Sequence, residues 1–253
     1  MRDDLLYTDQ SAVQAIQAWE AHQLRSLQQD KVCTTVLGQL DETKVLIIQD
    51  WAMKWLPQRY RETQAEWFGK QGISWHISVV VRRVNEVLQH QTFVHIVEDC
   101  NQGAQSVIQL LHHTLKTLKN EHPEIEAAAL RQDNTGCYHS VDMVSACHLM
   151  EEDTGIHIER VDFRKDVCDR KAATIKAHVR RYVNEGHNVV TVREFHDAML
   201  FHGGINGVRV ARATGSTEQS QQVTTYDQTG LYLEDTIIVA RINYLKPPHN
   251  QYF

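Results

Sequence analysis

Three aspartates have the neighbours and the spacing that suit metal-dependent chemistry on phosphate esters. Asp50 follows the apolar run 45–48, and Asp133 follows a second apolar run, 127–130, within the sequence Asp-Asn-Thr-Gly. Asp169 comes 36 positions after Asp133, where an amphipathic stretch begins. Mg²⁺ prefers oxygen ligands and is usually held by one or two carboxylates together with substrate phosphates. The pattern therefore predicts metal-ligand roles for these three residues.

The number of carboxylates suits a pair of ions. Two divalent ions roughly 3.5–4 Å apart stabilise both the attacking and the leaving oxygen of an in-line displacement. Three carboxylates, brought from two strand ends and one helix start, can hold such a pair. We therefore expect Asp50, Asp133 and Asp169 to be both the metal ligands and the catalytic residues, with two Mg²⁺ or Mn²⁺ ions as cofactors.

Other acidic residues leave alternatives open. A single aspartate at a strand end is most often a turn former or a helix cap, so the prediction depends on the three residues together. Asp166, three positions before Asp169, remains an alternative third ligand. Glu98 and Asp99 follow another apolar stretch, where a solvated strand end is the favoured interpretation.

The elements that must position the aspartates follow from hydrophobic periodicity. Short β-rich runs alternate with longer stretches that have apolar residues at helical spacing, and this order predicts a mixed sheet flanked by helices. The expected strands are 45–48, 73–83, 92–97, 127–130 and 156–163, with a further strand at 236–244. The expected helices are 11–39, 104–120, 141–153 and 168–184.

Over about residues 45 to 185 these features resemble the retroviral integrase and DDE transposase superfamily. The resemblance rests on the acid after the first strand, the acid in the Asp-Asn-Thr-Gly turn after the fourth, and a third acid at a helix start, with 35 residues between the second and the third. It implies an RNase H-like α/β fold, a mixed five-stranded sheet flanked by helices. The domains we expect are an N-terminal helical arm (1–44), a catalytic core (45–202) and a small C-terminal extension (203–253).

The resemblance implies an enzyme that cuts and joins DNA phosphodiesters, with transposon ends and target DNA as partners and a homo-oligomer as a possible assembly. This chain departs from the integrase pattern in three respects. The third acid is Asp where integrases have Glu, as in mariner-type transposases; the glycine of the turn is shifted by one residue; and the Pro-Gln often found before the third acid is missing.

Basic residues follow Asp169 along the same predicted helix. Between Arg170 and Arg181 there are five basic residues and no acidic one. In integrases such a helix lays basic side chains along the DNA beside the active site. The resemblance therefore implies DNA-binding roles for Lys176, for Arg180 and for Lys171.

The overall charge at first argues against a nucleic-acid partner, because the chain has a net charge of −6. The predicted core, however, has 18 basic and 21 acidic residues, and this excess of three equals the three proposed ligands alone. Two divalent ions would make the core positive. The acidity therefore does not exclude a DNA substrate.

The compartment is indicated by what the sequence contains. Five widely spaced cysteines form neither a disulfide framework nor a zinc motif, and the N-terminus has no signal-peptide pattern. The apolar runs are far shorter than the roughly 20 residues that span a bilayer. We expect a protein of a reducing compartment, not secreted and without a membrane partner. The resemblance implies the nucleus in a eukaryote and the cytoplasm otherwise.

Two other functions remain as alternatives. The chain could be a catalytically inactive, transposase-derived domain that binds DNA or protein, or it could be a ribonuclease H-type nuclease. Near Asp50, Trp51 or Trp55 could stack on unpaired bases, although packing is the favoured interpretation for these rings. We interpret the fifteen histidines as surface or hydrogen-bonded polar residues, because they lack zinc-finger spacing.

Overall fold

The computed structural model describes residues 2–98, 100–163, 167–214, 223–226 and 232–235. The chain forms two compact units, Met1–Asp41 and Glu42–Phe253. The first unit consists mainly of one long helix, α1 (Arg2–Gln39), which confirms the predicted helix and extends it toward the N-terminus. The predicted strand at 236–244 lies outside the described residues.

The second unit is built on one mixed sheet with the strand order β5-β4-β1-β2-β3-β6-β7-β8. The strands are β1 (Lys44–Trp51), β2 (Ser74–Val84), β3 (Val87–Glu98), β4 (Ala127–Gln132), β5 (His157–Phe163), β6 (Val208–Thr214), β7 (Val223–Tyr226) and β8 (Tyr232–Asp235).

The first five strands have the connectivity of the RNase H-like fold. Strands β1, β2 and β3 form an antiparallel meander, while β4 and then β5 are added in parallel beside β1. Parallel neighbours need crossover connections, and helices supply them here. The predicted fold class is confirmed, and the sheet continues past β3 through β6, which pairs with β3 in parallel.

Helices cover both faces of the sheet. The remaining helices are α2 (Gln64–Trp67), α3 (Ala104–Glu121), α4 (Val141–Thr154), α5 (Cys168–Asn184) and α6 (Val192–Leu200). Helices α3 and α4 share a hydrophobic core with the face of β1 that carries Val45 and Ile47. Helix α5 contacts β1 and β2, and α6 contacts β3 and β6. Because side chains alternate along a strand, Ile48 and Asp50 belong to the face opposite α3 and α4.

The β2–β3 turn, helix α6 and strand β6 are among the features that were not predicted from sequence. The β2–β3 turn consists of Asn85 and Glu86 alone, both with positive φ (49° and 63°), so the two strands form one tight hairpin. Helix α6 has nine residues and begins at a capping box formed by Thr191 and Glu194. Strand β6 lies within the predicted C-terminal extension, so the sheet runs into that part of the chain; the predicted domain boundaries themselves stay a prediction.

Candidate active site at the ends of β1 and β4

Asp50 stands at the carboxyl end of a buried central strand. Strand β1 has six consecutive buried residues, which are the aliphatic run 45–48, Gln49 and Asp50 itself. Asp50 itself is 6% exposed and pairs in register with Ile77 of β2. A buried carboxylate needs compensating groups. This strand end is therefore a specialised polar position within an apolar sheet.

Asp133 lies beside Asp50 because β1 and β4 are parallel neighbours in matching register. Gln49 is the register partner of Gln132, and the Gln49 Nε2 donates a hydrogen bond to the Gln132 Oε1 over 2.7 Å. Asp50 and Asp133 are the residues that follow this pair, on strands that are about 4.8 Å apart. The Asp133 Oδ1 accepts a hydrogen bond of 2.8 Å from the Asn134 N–H, which shapes the turn.

The third aspartate lies in the first turn of α5, and the cysteine before it fixes the start of this helix on the sheet. The buried Cys168 Sγ lies 3.4 Å from the carbonyl oxygen of Ile48 and 3.9 Å from that of Ile77. Helix α5 therefore begins over the end of β1 that carries Asp50. Successive helix residues are about 100° apart, so with Cys168 facing the sheet, the adjacent Asp169 is exposed.

The three aspartates approach a common edge, but they are not gathered into a ligand cluster. Within the ranges that the structure describes, no group of three or more histidine, cysteine, aspartate and glutamate side chains is placed to hold a metal ion. Asp50 and Asp133 supply the hard oxygen donors that Mg²⁺ prefers. Residues 164–166, which include the alternative ligand Asp166, and also Asp99 lie outside the described residues.

Two buried polar side chains shape the electrostatics of this edge. Burial raises the pKa of Tyr138 well above its ordinary value, and the negative charge of Asp50 raises it further, so the phenol stays neutral. Arg131 is 2% exposed, and it precedes Asp133 by two residues, on the same side of the chain. A buried guanidinium places a permanent positive charge on the strand that ends just before Asp133.

The basic residues of α5 divide between two faces of the helix. Lys176 and Arg180 lie seven and eleven residues after Asp169, which places all three within about 20° of one line along the helix. Burial lowers the pKa of Lys176, Arg180 lowers it further, and Asp169 opposes both. Lys171 lies about 200° round the helix from Asp169. The DNA-binding roles of these residues stay predictions.

The tryptophans near Asp50 pack against the protein. Trp55 is 2% exposed and its ring stacks on Phe195 at a centroid distance of 5.1 Å, which confirms the packing interpretation. Trp51 is partly buried and meets His76 edge-on at 5.1 Å. The buried Trp55 ring therefore offers no free face of the kind that base stacking needs.

A buried histidine row was missed at the sequence level. His76, His95 and His113 are at most 2% exposed, and the His95 Nε2 and His113 Nδ1 are 2.9 Å apart in a hydrogen bond. Neither ring nitrogen of His76 has a hydrogen-bond partner among the described residues. His76 and His95 are register partners on β2 and β3, and sequence alone does not reveal such a pairing.

The glutamines were also missed, although the sequence carries a signal for them. Both strand-end aspartates are preceded by glutamine, in Ile-Ile-Gln-Asp and in Leu-Arg-Gln-Asp. A polar residue at the last inward position of a buried strand needs a partner, and each glutamine is the other's partner. The repeated Gln-Asp pair therefore marks the two strand ends that meet.

The sequence of this chain matches the model of a known protein family. A family model described as Domain of unknown function (DUF8701) matches residues 29–228. None of the curated proteins matches this chain. No helix of the described residues has the length and apolar character needed to cross a membrane.

Solved integrases and transposases are similar to the chain at low identity. A chain of the simian T-cell lymphotropic virus intasome, solved with a PP2A regulatory subunit, is 13% identical; the match covers 63% of this chain and 49% of that one, with a TM-score of 0.34. The BIV integrase catalytic core is 13% identical. That match covers 64% of this chain and 88% of the integrase core, with a TM-score of 0.30. A chain of the Mos1 mariner paired end complex with Mn is 9% identical. That match covers 66% of this chain and 56% of the Mos1 chain, with a TM-score of 0.29.

The chain thus spans about half the length of the viral intasome chain that it matches. The RNase H-like assignment follows from the strand order and strand directions described above.

Proposed function

The chain belongs to the family described as Domain of unknown function (DUF8701), and from that premise we propose that it is a divalent-metal-dependent polynucleotidyl transferase and endonuclease. The proposed reaction cuts and joins DNA phosphodiesters in the manner of DDE transposases and integrases. The observation that carries the proposal is the Gln49–Gln132 hydrogen bond, which joins the two strand ends immediately before Asp50 and Asp133. The resemblance of the sequence to the DDE superfamily supports the same assignment.

In this proposal Asp50, Asp133 and Asp169 hold two Mg²⁺ or Mn²⁺ ions. When bound, such ions activate an attacking hydroxyl and stabilise the leaving 3′-oxygen of an in-line displacement. The side chains of the protein contribute positioning and charge, and no covalent enzyme intermediate is needed. The glutamine pair holds the two strand-end carboxylates in register.

Binding of the DNA backbone is assigned to α5. Lys176 and Arg180 follow Asp169 on one line of the helix, so a phosphate backbone lying along this line would lead to the carboxylates. Lys171 would contact a more distant part of the backbone. DNA ends and target DNA are the proposed partners, a homo-oligomer is the proposed assembly, and the nucleus is the proposed location in a eukaryote.

The proposal is tested by cleavage of a supercoiled plasmid and of short duplexes in Mg²⁺ or Mn²⁺. We expect wild-type protein to nick DNA, and Asp133→Asn to abolish nicking while retaining the wild-type unfolding temperature. Asp142→Asn, a change of an exposed aspartate in the first turn of α4, is the matched control. Nicking by Asp133→Asn at the wild-type rate would overturn the proposal. Faster cleavage of an RNA–DNA hybrid than of duplex DNA would assign the ribonuclease H alternative.

The second candidate function is a catalytically inactive domain that binds DNA or protein. It is favoured by the absence of a three-ligand group within the described ranges and by the buried Arg131, a fixed cation at the same edge. If this candidate is correct, neither Mg²⁺ nor Mn²⁺ raises the unfolding temperature, because a ligand stabilises only a state that binds it. A metal-dependent rise that Asp133→Asn removes would exclude it.

A further inference from the structure

The segment that joins β1 to β2 leaves the sheet directly after the strand end that carries Asp50. This β1–β2 segment, residues 52–73, is held at its base by backbone pairs. Trp55 and Ile73 exchange two hydrogen bonds of 3.0 and 2.8 Å, and Gln58 and Val189 exchange two of 2.8 Å. Trp55 also stacks on the fully buried Phe195 of α6. The base of the segment is therefore fixed to the sheet and to the chain between α5 and α6.

The outer part of the β1–β2 segment exposes large apolar side chains. Thr63 caps the short helix α2, and its N–H donates to Glu66 over 3.0 Å. Trp67 is 57% exposed and Phe68 is 73% exposed, and Gly69 follows with a φ of +73°. Met53 (81%), Leu56 (51%) and Tyr60 (42%) are exposed in the same segment. Grouped exposed apolar residues of this kind mark interaction surfaces.

Positive charge accompanies the exposed rings. The segment has four basic residues, Lys54, Arg59, Arg61 and Lys70, against two acidic ones. The Arg61 guanidinium lies 5.2 Å from the centroid of the Tyr60 ring, and the Lys70 Nζ lies 4.7 Å from that of Trp67. Aromatic rings with interleaved cations suit an unpaired nucleic-acid strand, whose bases stack on rings while its phosphates meet the cations.

The charge of the segment also discriminates between two possible binding partners, a second copy of this chain and a nucleic-acid strand. A second copy docking through the same segment would bring like net charges together, because each segment has four basic residues and only two acidic ones, Glu62 paired with Lys70 and Glu66 with Arg59. A polyanion has the complementary charge. An unpaired strand, unlike an intact duplex, has free base faces for the rings.

We propose that the β1–β2 segment binds unpaired nucleotides of a DNA strand through stacking on Trp67 and Phe68, with Lys54 and Arg61 contacting the phosphates. This inference rests on the proposed function for its substrate class, because it positions a separated strand next to Asp50. It adds a recognition surface outside the three aspartates and outside α5.

The test measures binding in EDTA, where no metal-dependent cleavage takes place, by fluorescence anisotropy of labelled DNA. The two probes are a blunt duplex and the same duplex with an unpaired single-stranded tail. We expect wild-type protein to prefer the tailed probe, and Trp67→Ala and Phe68→Ala each to weaken tailed-probe binding by about fivefold or more. Blunt-duplex binding should change by less than about twofold, since an intact duplex offers no free base faces.

Two further variants make the result specific. Trp19→Ala removes an equally exposed tryptophan (61%) from α1 and should leave both affinities unchanged. Trp67→Phe keeps a ring and should keep most of the preference for the tail, while circular dichroism confirms that each variant is folded.

Equal affinity of wild type and Trp67→Ala for the tailed probe, or no binding of either probe, would overturn the inference. Loss of self-association in Trp67→Ala, measured by sedimentation velocity with DNA binding unchanged, would also overturn it and assign the surface to a second copy. Because the measurement needs no catalysis, tail binding without nicking activity would refute the proposed function and leave the inference standing.

Discussion

The side chains of Gln49 and Gln132 are hydrogen-bonded at 2.7 Å inside the sheet, one residue before the two aspartates at the ends of β1 and β4. Both glutamines are at most 1% exposed, and the Gln132 Nε2 also donates to the Tyr138 carbonyl oxygen over 3.0 Å. This contact links the core of the sheet to the turn that follows β4, and thereby to the position of Asp133.

Breaking this pair should affect both stability and activity. Gln49→Leu leaves the Gln132 Oε1 buried without its donor, which costs about 1–3 kcal/mol of unfolding free energy. Urea unfolding measures this loss, and nicking activity should fall as well because the carboxylates lose their register. Gln89→Leu on the exposed side of β3 is the control and should change neither quantity. Unchanged stability in Gln49→Leu would show that the pair does not hold the strand ends.

The line of basic residues on α5 predicts a salt-dependent contribution to DNA binding. Lys176→Ala and Arg180→Ala should each weaken duplex binding and reduce the slope of log K against log salt by about 0.9, the value for one phosphate contact. Lys44→Ala, at the opposite end of β1 from Asp50, is the control. Equal salt slopes for wild type, Lys176→Ala and Arg180→Ala would remove α5 from the DNA-binding surface.

The buried histidine row predicts loss of stability in acid. Burial lowers the pKa of His76 to about 3 and that of His95 well below its ordinary value, with His113 and His76 lowering the latter further. In the unfolded chain these histidines become protonated below about pH 6.5, whereas in the folded chain they stay neutral to a much lower pH. The unfolding free energy therefore keeps its full value above pH 6.5 and falls as pH decreases toward 3. Tyr138, the other ionisable ring beside His76, stays neutral throughout this range.

Thermal unfolding between pH 7.5 and 4 measures this effect. His76→Phe should flatten the decrease in unfolding temperature below pH 6.5, because it removes one group that must be protonated on unfolding. His139→Phe, which changes an exposed histidine after the Asp133 turn, is the control and should keep the wild-type slope. The same slope in all three proteins would refute this account of the histidine row.

The packing of Phe195 should determine how firmly the base of the β1–β2 segment is held. Its ring is fully buried between Trp55 and Trp75, at centroid distances of 5.1 and 5.5 Å. Phe195→Ala should lower the unfolding free energy by about 3–5 kcal/mol and make residues 52–73 more susceptible to limited proteolysis. Phe68→Ala at the exposed tip should change stability by at most about 0.5 kcal/mol. Faster proteolysis elsewhere, with residues 52–73 still protected, would contradict this role of Phe195.

Much of the fold could be predicted because strand and helix periodicities in this chain are distinct. The run 45–48 identified β1, and the strands that became β2 to β5 followed from similar patterns. Strand β6 escaped prediction because Arg209 and Arg212 interrupt its small apolar residues. Its place depends on pairing with β3, more than 100 residues earlier in the sequence.

The placement of the two strand-end aspartates was predictable from the sequence, whereas the orientation of the helix that carries Asp169 was not. Parallel pairing of β1 with β4 brings Asp50 and Asp133 to one edge, as their positions after apolar runs suggested. The rotation of α5 is set by Cys168 against the carbonyl oxygens of Ile48 and Ile77, a tertiary contact that periodicity does not encode. Asp169 is therefore exposed, although spacing alone selected it as a ligand.

Titration with Mn²⁺, followed by electron paramagnetic resonance, tests the central claim most directly, because it reports bound metal without requiring a DNA substrate. The account predicts that the wild-type chain binds Mn²⁺, that Asp50→Asn and Asp133→Asn each weaken this binding, and that the double variant abolishes it. Asp142→Asn should bind Mn²⁺ as wild type does. Equal Mn²⁺ binding by wild type and the double variant, or none by wild type, would contradict the assignment of these aspartates as metal ligands.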